Sequence, residues 1–325
     1  MPSAQQQRKK FKTSQDWNDF IAKAQQSGEK LAGQCFLDLR KACYNEIEEH
    51  RKRPLLVYAT KFMDSLPAGV PNFIVISDVD GFTDLVNSVQ GTKVDVLLHS
   101  PGGRPDATER IVGILRDKFD EVNFLIPHSA YSAATMLALS GDCVVLHPSA
   151  TLGPIDPQIN GIPARSIKRG FEKVKERIAK EGPESLPAYI PLIEKYSIDL
   201  LELCEDSEKL AYKLVSTWLK QYMFKGEKNV SRRIQKAARY FSDYDTHLIH
   251  SRPLSLDKLS HLNLKIQLAD DTLKDLLWEA YILLNGLFSV TPFVKLYESV
   301  TGVSWGKQFQ QVFIGPPPQQ IAKTQ

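Results

Sequence analysis

Twice in the middle of this chain an apolar run stops at a corner of small residues and restarts with helical spacing. The first stretch is VDVLLHSPGG, Val94 to Gly103, and the second is PHSAYSAATMLALSGD, Pro127 to Asp142. Val94, Val96, Leu97 and Leu98 make a short β-branched and aliphatic strand, and Ser100-Pro101-Gly102-Gly103 removes side chains where the chain must turn. From Asp106 to Lys118, Ile111, Val112, Ile114 and Leu115, followed by Phe119, recur at helical spacing, so the glycine pair stands just before a helix N-terminus. Unpaired N–H groups and the helix dipole favour negative charge there, so an oxyanion fits. In the second stretch Val122–Ile126 is a buried strand, Pro127 stops it, and Ser129 to Thr135 form the corner before Met136, Leu137, Ala138 and Leu139. Ser132 begins this helix among methyl groups, which leaves its hydroxyl and the next backbone N–H, that of Ala133, open to a ligand. A nucleophilic serine needs that arrangement.

Strand and helix alternate through both stretches, and Cys143 to Leu146 adds another strand. Such alternation implies right-handed βαβ crossovers and a mainly parallel sheet, with ligand-binding turns at the C-terminal ends of its strands. His147 to Gln158, with Pro148, Pro154 and Pro157, is too proline-rich for regular structure and reads as a rigid wall across the site. Upstream, Leu55 to Ala59 is a first strand, and Phe73 to Ile76 is either a strand or part of the approach to the site. Asp78, Asp80 and Asp84 read as a solvated turn and helix start, because the later acidic ligands of a calcium loop are missing. Downstream come a charged helix from Ala164 to Lys180, an interruption from Glu184 to Pro191, and helices over 196–222 and 230–240. A turn with Ser255 as N-cap follows, then apolar helices over Trp278 to Leu287 and Val290 to Tyr297. Trp17 to Glu48 reads as helical cover, with Met1 to Ser14 and Gly315 to Gln325 as flexible tails and Arg8-Lys9-Lys10 solvated. The division is 1–48 as tail and helical segment, 49–265 as core, and 266–325 as C-terminal helices and tail.

The spacing of LHSPGG, AYSAAT and LGPIDPQ (Leu152 to Gln158) resembles the serine dehydrogenase proteinase family, within the wider Clp-protease, signal-peptide-peptidase and crotonase superfamily. PLLVYAT near Leu55, HSRPL at His250 to Leu254 and FSVTPFVKLYESVTGVSWGKQ echo the family's flanking segments, so the likeness covers roughly Ala42 to Gln308. It implies an α/β fold: a crotonase/Clp-like core of repeated ββα units, a mainly parallel sheet and a C-terminal helical extension. It further implies an ATP-independent serine peptidase or related hydrolase, acting on peptide or protein substrates and assembled as a homo-oligomer. Ser132 then attacks a carbonyl while the N–H groups of Gly102 or Gly103 and of Ala133 hold the oxyanion. The alternative role for Ser132 is a helix cap.

The base is open. A Clp-type histidine would fall around Ile155 to Asn160, where there is none, whereas the peptidase branch uses a lysine somewhat further on, where Lys168, Lys173 and Lys175 stand. A lysine base requires burial. His250 competes, because HSRPL resembles the family's His-x-Arg-Pro-Ile and an imidazole titrates near neutrality; His247 on the same turn orients it or faces solvent. Asp156 orients a base or holds the LGPIDPQ turn. Two other functions stay in view: a crotonase-type acyl-CoA enzyme that stabilises a thioester enolate without a nucleophile, and a catalytically silent oligomeric scaffold.

Composition narrows the classes. The 41 Lys and Arg against 38 Asp and Glu are interleaved, so no basic face calls for nucleic acid. Four scattered cysteines without a CxxC, and seven histidines without HExxH, give no metal site or disulfide framework. No GxGxxG follows a strand, and no cofactor is expected. No apolar run is long enough for a membrane span, and the N-terminus is polar, so a cytoplasmic protein is expected.

Overall fold

The computed structural model describes residues 8–28, 33–64, 66–67, 69–194 and 196–309. In chain order the strands are β1 (Leu55–Thr60), β2 (Lys93–His99), β3 (Glu121–Ile126), β4 (Ser129–Ala130), β5 (Cys143–Leu146), β6 (Thr151–Leu152), β7 (Gln158–Ile159), β8 (Ile162–Pro163), β9 (Ile266–Leu268), β10 (Phe293–Ser299) and β11 (Ser304–Gln308). The helices are α1 (Ser14–Gln26), α2 (Gly33–Arg51), α3 (Asp78–Ser88), α4 (Pro105–Lys118), α5 (Ala133–Leu139), α6 (Ala164–Glu181), α7 (Leu186–Ile193), α8 (Ile198–Trp218), α9 (Ser231–Ser242), α10 (Tyr244–His247), α11 (Leu256–Leu259) and α12 (Asp271–Val290).

Seven strands form the central sheet in the order β11-β10-β1-β2-β3-β5-β9. β1, β2, β3, β5 and β9 run parallel, and β10 and β11 extend one edge antiparallel. Side chains alternate across a strand. Val96, Leu98, Phe124, Ile126 and Leu146 therefore meet α3, α4, α5, α8 and α9 on one face. Leu97, Leu125 and Val145 meet α1, α2 and α12 on the other. Both faces are covered, which is why the parallel strands are mostly apolar; the exceptions, buried Asp95 on β2 and Asn123 on β3, bond to each other, and Arg51 pairs with Asp95 at 2.6 Å.

Several expectations need correction. Val290 to Tyr297 is not helical: α12 ends at Val290 and β10 begins at Phe293. From Phe293 the pattern has period two, with Val294 and Leu296 on one face and Lys295 and Tyr297 on the other, and strand pairing against β1 overrides the apolar composition. Glu184 to Pro191 does not simply interrupt the helices. Gly182, at φ +96°, ends α6, and α7 forms directly after a short 3₁₀ turn.

Arg8 is not a solvated tail residue: it makes two hydrogen bonds, at 2.7 and 2.8 Å, to Glu279, which is buried on α12 and needs a cationic partner. Phe11 is buried beside it, and Thr13 caps α1 through a capping box. The tail readings over residues 1–7 and Gly315 to Gln325 lie outside the described residues. Asp78 is fully buried rather than solvated, for reasons taken up below. Among the described residues no helix is long and apolar enough to cross a membrane.

Candidate active site

β2 and β3 are neighbours in a parallel pair, so the corners that follow them must lie side by side. Backbone hydrogen bonds join them: Ser100 N donates to Ser129 O at 3.1 Å, and Tyr131 N donates to Ser100 O at 3.0 Å. Gly102 adopts φ +98°, and a Cβ there would stand 2.4 Å from Tyr131 O, 2.7 Å from Ser132 Cβ and 2.8 Å from Ala133 N. Only glycine lets the first corner approach the second this closely.

Ser132 itself has φ +52° and ψ −123°, an uncommon conformation for a residue with a side chain, costing on the order of 1–3 kcal/mol. It occupies the N-cap position of α5, yet its side chain makes no capping hydrogen bond. The structure thus does not use this hydroxyl as a helix cap. Thr135 holds the corner instead, donating through Oγ1 to Ala130 O at 2.7 Å and accepting from Gly153 N at 3.0 Å. Gly102 N donates to Ser100 Oγ at 3.2 Å, which spends one of the two glycine N–H groups within the turn.

A third segment closes the corner from the other side. Ile74 N donates to Gly102 O at 2.7 Å and Arg104 N donates to Ile74 O at 2.8 Å. The apolar run Phe73 to Ile76 is therefore part of the approach to the site, bridged at Ile74 to Gly103. A Cβ on Gly103 would stand 2.2 Å from Ile74 O. Nothing in the sequence ties Ile74 to that turn, since the two are joined only through folding.

LGPIDPQ lies across the corners as a wall. Gly153 N donates to Ala130 O at 3.1 Å, and Leu152 pairs with Leu254 through reciprocal backbone hydrogen bonds of 3.1 and 2.9 Å. That pairing brings HSRPL against LGPIDPQ across about a hundred residues of chain. Asp156, buried, receives a hydrogen bond from Gln158 Nε2 at 2.7 Å and lies 2.9 Å from His250 Nδ1. His247 is spent elsewhere: its Nε2 is 2.6 Å from Tyr240 O.

Between these parts lies a cavity of about 320 Å³. Gly103, Ser132 and Ala133 form one side, Ile155 and Gln158 another, and Leu210 of α8 a third. Lys168, Lys173, Lys175 and His250 are not among the residues that line it. Lys168 Nζ pairs with Glu208 at 3.0 Å on the neighbouring helix, and Lys173 and Lys175 are exposed. A larger hollow of about 1310 Å³, between Arg8, Glu46 and Trp278, lies against α12 and contains none of these groups.

The residue before the first corner, His99, also escapes a reading of the sequence. Burial, with His128 nearby, pushes its pKa down to about 3, and its Nδ1 has no hydrogen-bond partner among the described residues. It packs against Phe62 at 4.6 Å and Tyr281 at 5.3 Å between ring centroids, so it acts as an uncharged aromatic prop under the turn.

Among known proteins, the chain is 27% identical over 193 residues to an uncharacterized protein of Methanocaldococcus jannaschii, covering 56% of this chain and 66% of that one. A second uncharacterized protein of the same organism is 33% identical over 108 residues, 32% of this chain and 38% of the relative. The matches thus span less than two thirds of either relative's length. A solved structure, that of the 1510-N membrane-bound stomatin-specific protease, shares 17% identity across 61% of this chain and 76% of its own, with a TM-score of 0.35. Residues 29–272, which include both corners, the LGPIDPQ wall and HSRPL, match the family model of the ClpP-like SDH-type serine proteinases, and the chain belongs to that family.

Proposed function

We propose that the protein is an ATP-independent serine peptidase whose nucleophile is Ser132. The observation that carries this is the contact of the two corners, which sets a strained, uncapped serine against a bare glycine turn at the mouth of a cavity. Ser132 Oγ attacks the substrate carbonyl, and the negative charge that develops on its oxygen is held by backbone N–H groups of Ala133 and of the glycine turn. Because Gly102 N–H is engaged by Ser100, Gly103 is the donor from that turn, with Gly102 providing the close approach. One such donor is worth roughly 3 kcal/mol of transition-state stabilisation.

We assign the proton acceptor to His250, the candidate held by a buried carboxylate, Asp156, on the segment that walls the cavity; His250 itself stands outside the lining, and the assignment rests on the Asp156 contact. Lys168 and Lys173 are the alternative, favoured by the lysine of the peptidase branch, but Lys173 is exposed and Lys168 is held by Glu208 at 3.0 Å. Peptide or protein substrates, a cytoplasmic setting and homo-oligomeric assembly complete the reading. Assembly is supported by the exposed apolar side chains Leu186, Ile190, Ile198 and Leu203 on α7 and α8.

A fluorophosphonate probe tests the nucleophile. Labelling should vanish in Ser132→Ala and persist in Ser129→Ala; an unlabelled wild-type protein removes the hydrolase reading. The base follows from single alanine variants of His250, Lys168 and Lys173. Loss of labelling in His250→Ala alone supports the assignment, and loss in Lys173→Ala or Lys168→Ala alone transfers the role to α6.

A further inference from the structure

Lys295 lies on β10 with no exposed surface, on the sheet face filled by Tyr58, Phe82 and Tyr297. An ammonium in such a place is costly unless paired and fully hydrogen-bonded. Its Nζ is 2.8 Å from each oxygen of Asp78, which is equally buried at the first turn of α3, and it also donates to the backbone carbonyl of Phe73. Asp78 in turn accepts from Tyr58 Oη at 3.0 Å, from Tyr297 Oη, from Lys307 Nζ at 3.0 Å and from Val75 N at 2.9 Å.

The pair therefore grips both sides of Ile74: Lys295 takes the carbonyl of Phe73, and Asp78 takes the N–H of Val75. Ile74 is the residue whose own N–H and C=O hold Gly102 and Arg104, with Gly103 between them. Apolar side chains would fasten β10 to α3 at no electrostatic cost, and buried ion pairs are often replaceable in that sense. They would not fasten the two peptide groups that flank Ile74.

We infer that Lys295 and Asp78 are positioning residues for the oxyanion site: they fix the Phe73–Val75 segment against which the Gly102–Arg104 turn rests, and so set where Gly103 N–H points. The inference rests on the assignment of Gly103 as an oxyanion donor. Neither residue touches substrate.

The test compares wild type with the doubly neutral variant Lys295→Met/Asp78→Asn, which removes the donor to Phe73 O and leaves Lys307 to its bonds with Ser77, and with Tyr297→Phe, which removes one hydrogen bond to Asp78 and tests the same grip should the double variant not fold. Amide hydrogen exchange is followed at Ile74 and Arg104, and the rate of fluorophosphonate labelling is resolved into probe affinity and maximal rate. In the double variant, exchange at these two amides should rise at least tenfold while the β2–β3 ladder stays protected. The maximal labelling rate should fall about 100-fold, as for a misplacement of about 1 Å, with probe affinity within twofold. Tyr297→Phe should move the same quantities in the same direction by less. Unchanged exchange at Ile74 and Arg104, or affinity and maximal rate falling together, overturns the inference. A wild-type protein that is not labelled removes the hydrolase reading instead, and exchange at the two amides then decides the grip on its own.

Discussion

Replacing Gly102 by alanine puts one methyl group into the contact between the corners, and the cost follows from the geometry. The new Cβ would meet Tyr131 O at 2.4 Å, Ser132 Cβ at 2.7 Å and Ala133 N at 2.8 Å, where ordinary contact begins at 3.4 Å. These are backbone atoms or a side chain's first carbon, so the second corner must retreat by about 1 Å to restore ordinary packing. An L residue at φ +98° adds strain of about 1–3 kcal/mol. A displacement of about 1 Å at a reacting centre costs roughly 100-fold in rate, or about 2.7 kcal/mol of barrier. The assay is the second-order rate of Ser132 labelling by a fluorophosphonate, read beside thermal melting. Gly102→Ala should label about 100-fold more slowly and melt a few degrees lower. Gly113→Ala is the matched control: its Cβ would meet nothing within 4 Å, and Ala favours α4 by about 0.5–1 kcal/mol, so labelling should be unchanged and melting slightly raised. Wild-type labelling in Gly102→Ala would refute the idea that close approach of the corners builds the site.

Two further outcomes concern stability. His99 is held neutral down to about pH 3 by burial, whereas in the unfolded chain it takes up a proton near pH 6.5. Between those values the unfolded state binds the extra proton, so stability is full above about pH 6.5 and falls by up to about 1.4 kcal/mol per pH unit as acid is added. Urea melts at pH 7 and pH 4.5 should show this slope reduced by that amount in His99→Phe; an equal slope in the variant shows that another group carries the acid dependence. Arg40 and Glu298 form a bidentate pair at 2.9 and 2.6 Å, both buried, with Tyr44 Oη and Ser304 Oγ completing the carboxylate's partners. Arg40→Met should destabilise by about 3–5 kcal/mol in denaturant melts, and Arg40→Met/Glu298→Gln should recover part of it; no loss in the single variant would mean that the carboxylate finds another partner.

The strand and helix on either side of each corner were legible because local composition and tertiary placement agree there. Val94–Leu98 and Val122–Ile126 are buried on both faces, which a mainly apolar strand satisfies, Asp95 and Asn123 being the polar exceptions. The meeting of Ser132 with Gly102 was also within reach, since parallel neighbours put their corners together. What stayed hidden depends on partners distant in sequence. Asp78 looks solvated in the string DVDG, and partners over two hundred residues later, Lys295 first and then Tyr297 and Lys307, make its burial tolerable. Likewise β10 reads as helix until pairing with β1 is known, and Arg8 reads as tail until Glu279 is seen beside it. The tie between His250 and Asp156 required the Leu152–Leu254 pairing, which no local pattern announces.

That pairing has a topological consequence. The chain leaves the wall of the cavity after Gln158 and returns to it at Leu254, touching the cavity in between only through α8, so most of what lies between is an excursion whose feet the Leu152–Leu254 pairing pins. α8 and α9 sink much of their apolar surface into the core, but α6 buries only Ala164 and Ile167, and α7 has no buried residue among those described. Extra or missing turns in α6 and α7 leave the registry of the two feet unchanged. A rim can thus be lengthened, trimmed or refaced around the entrance while the reacting atoms beneath it keep their spacing.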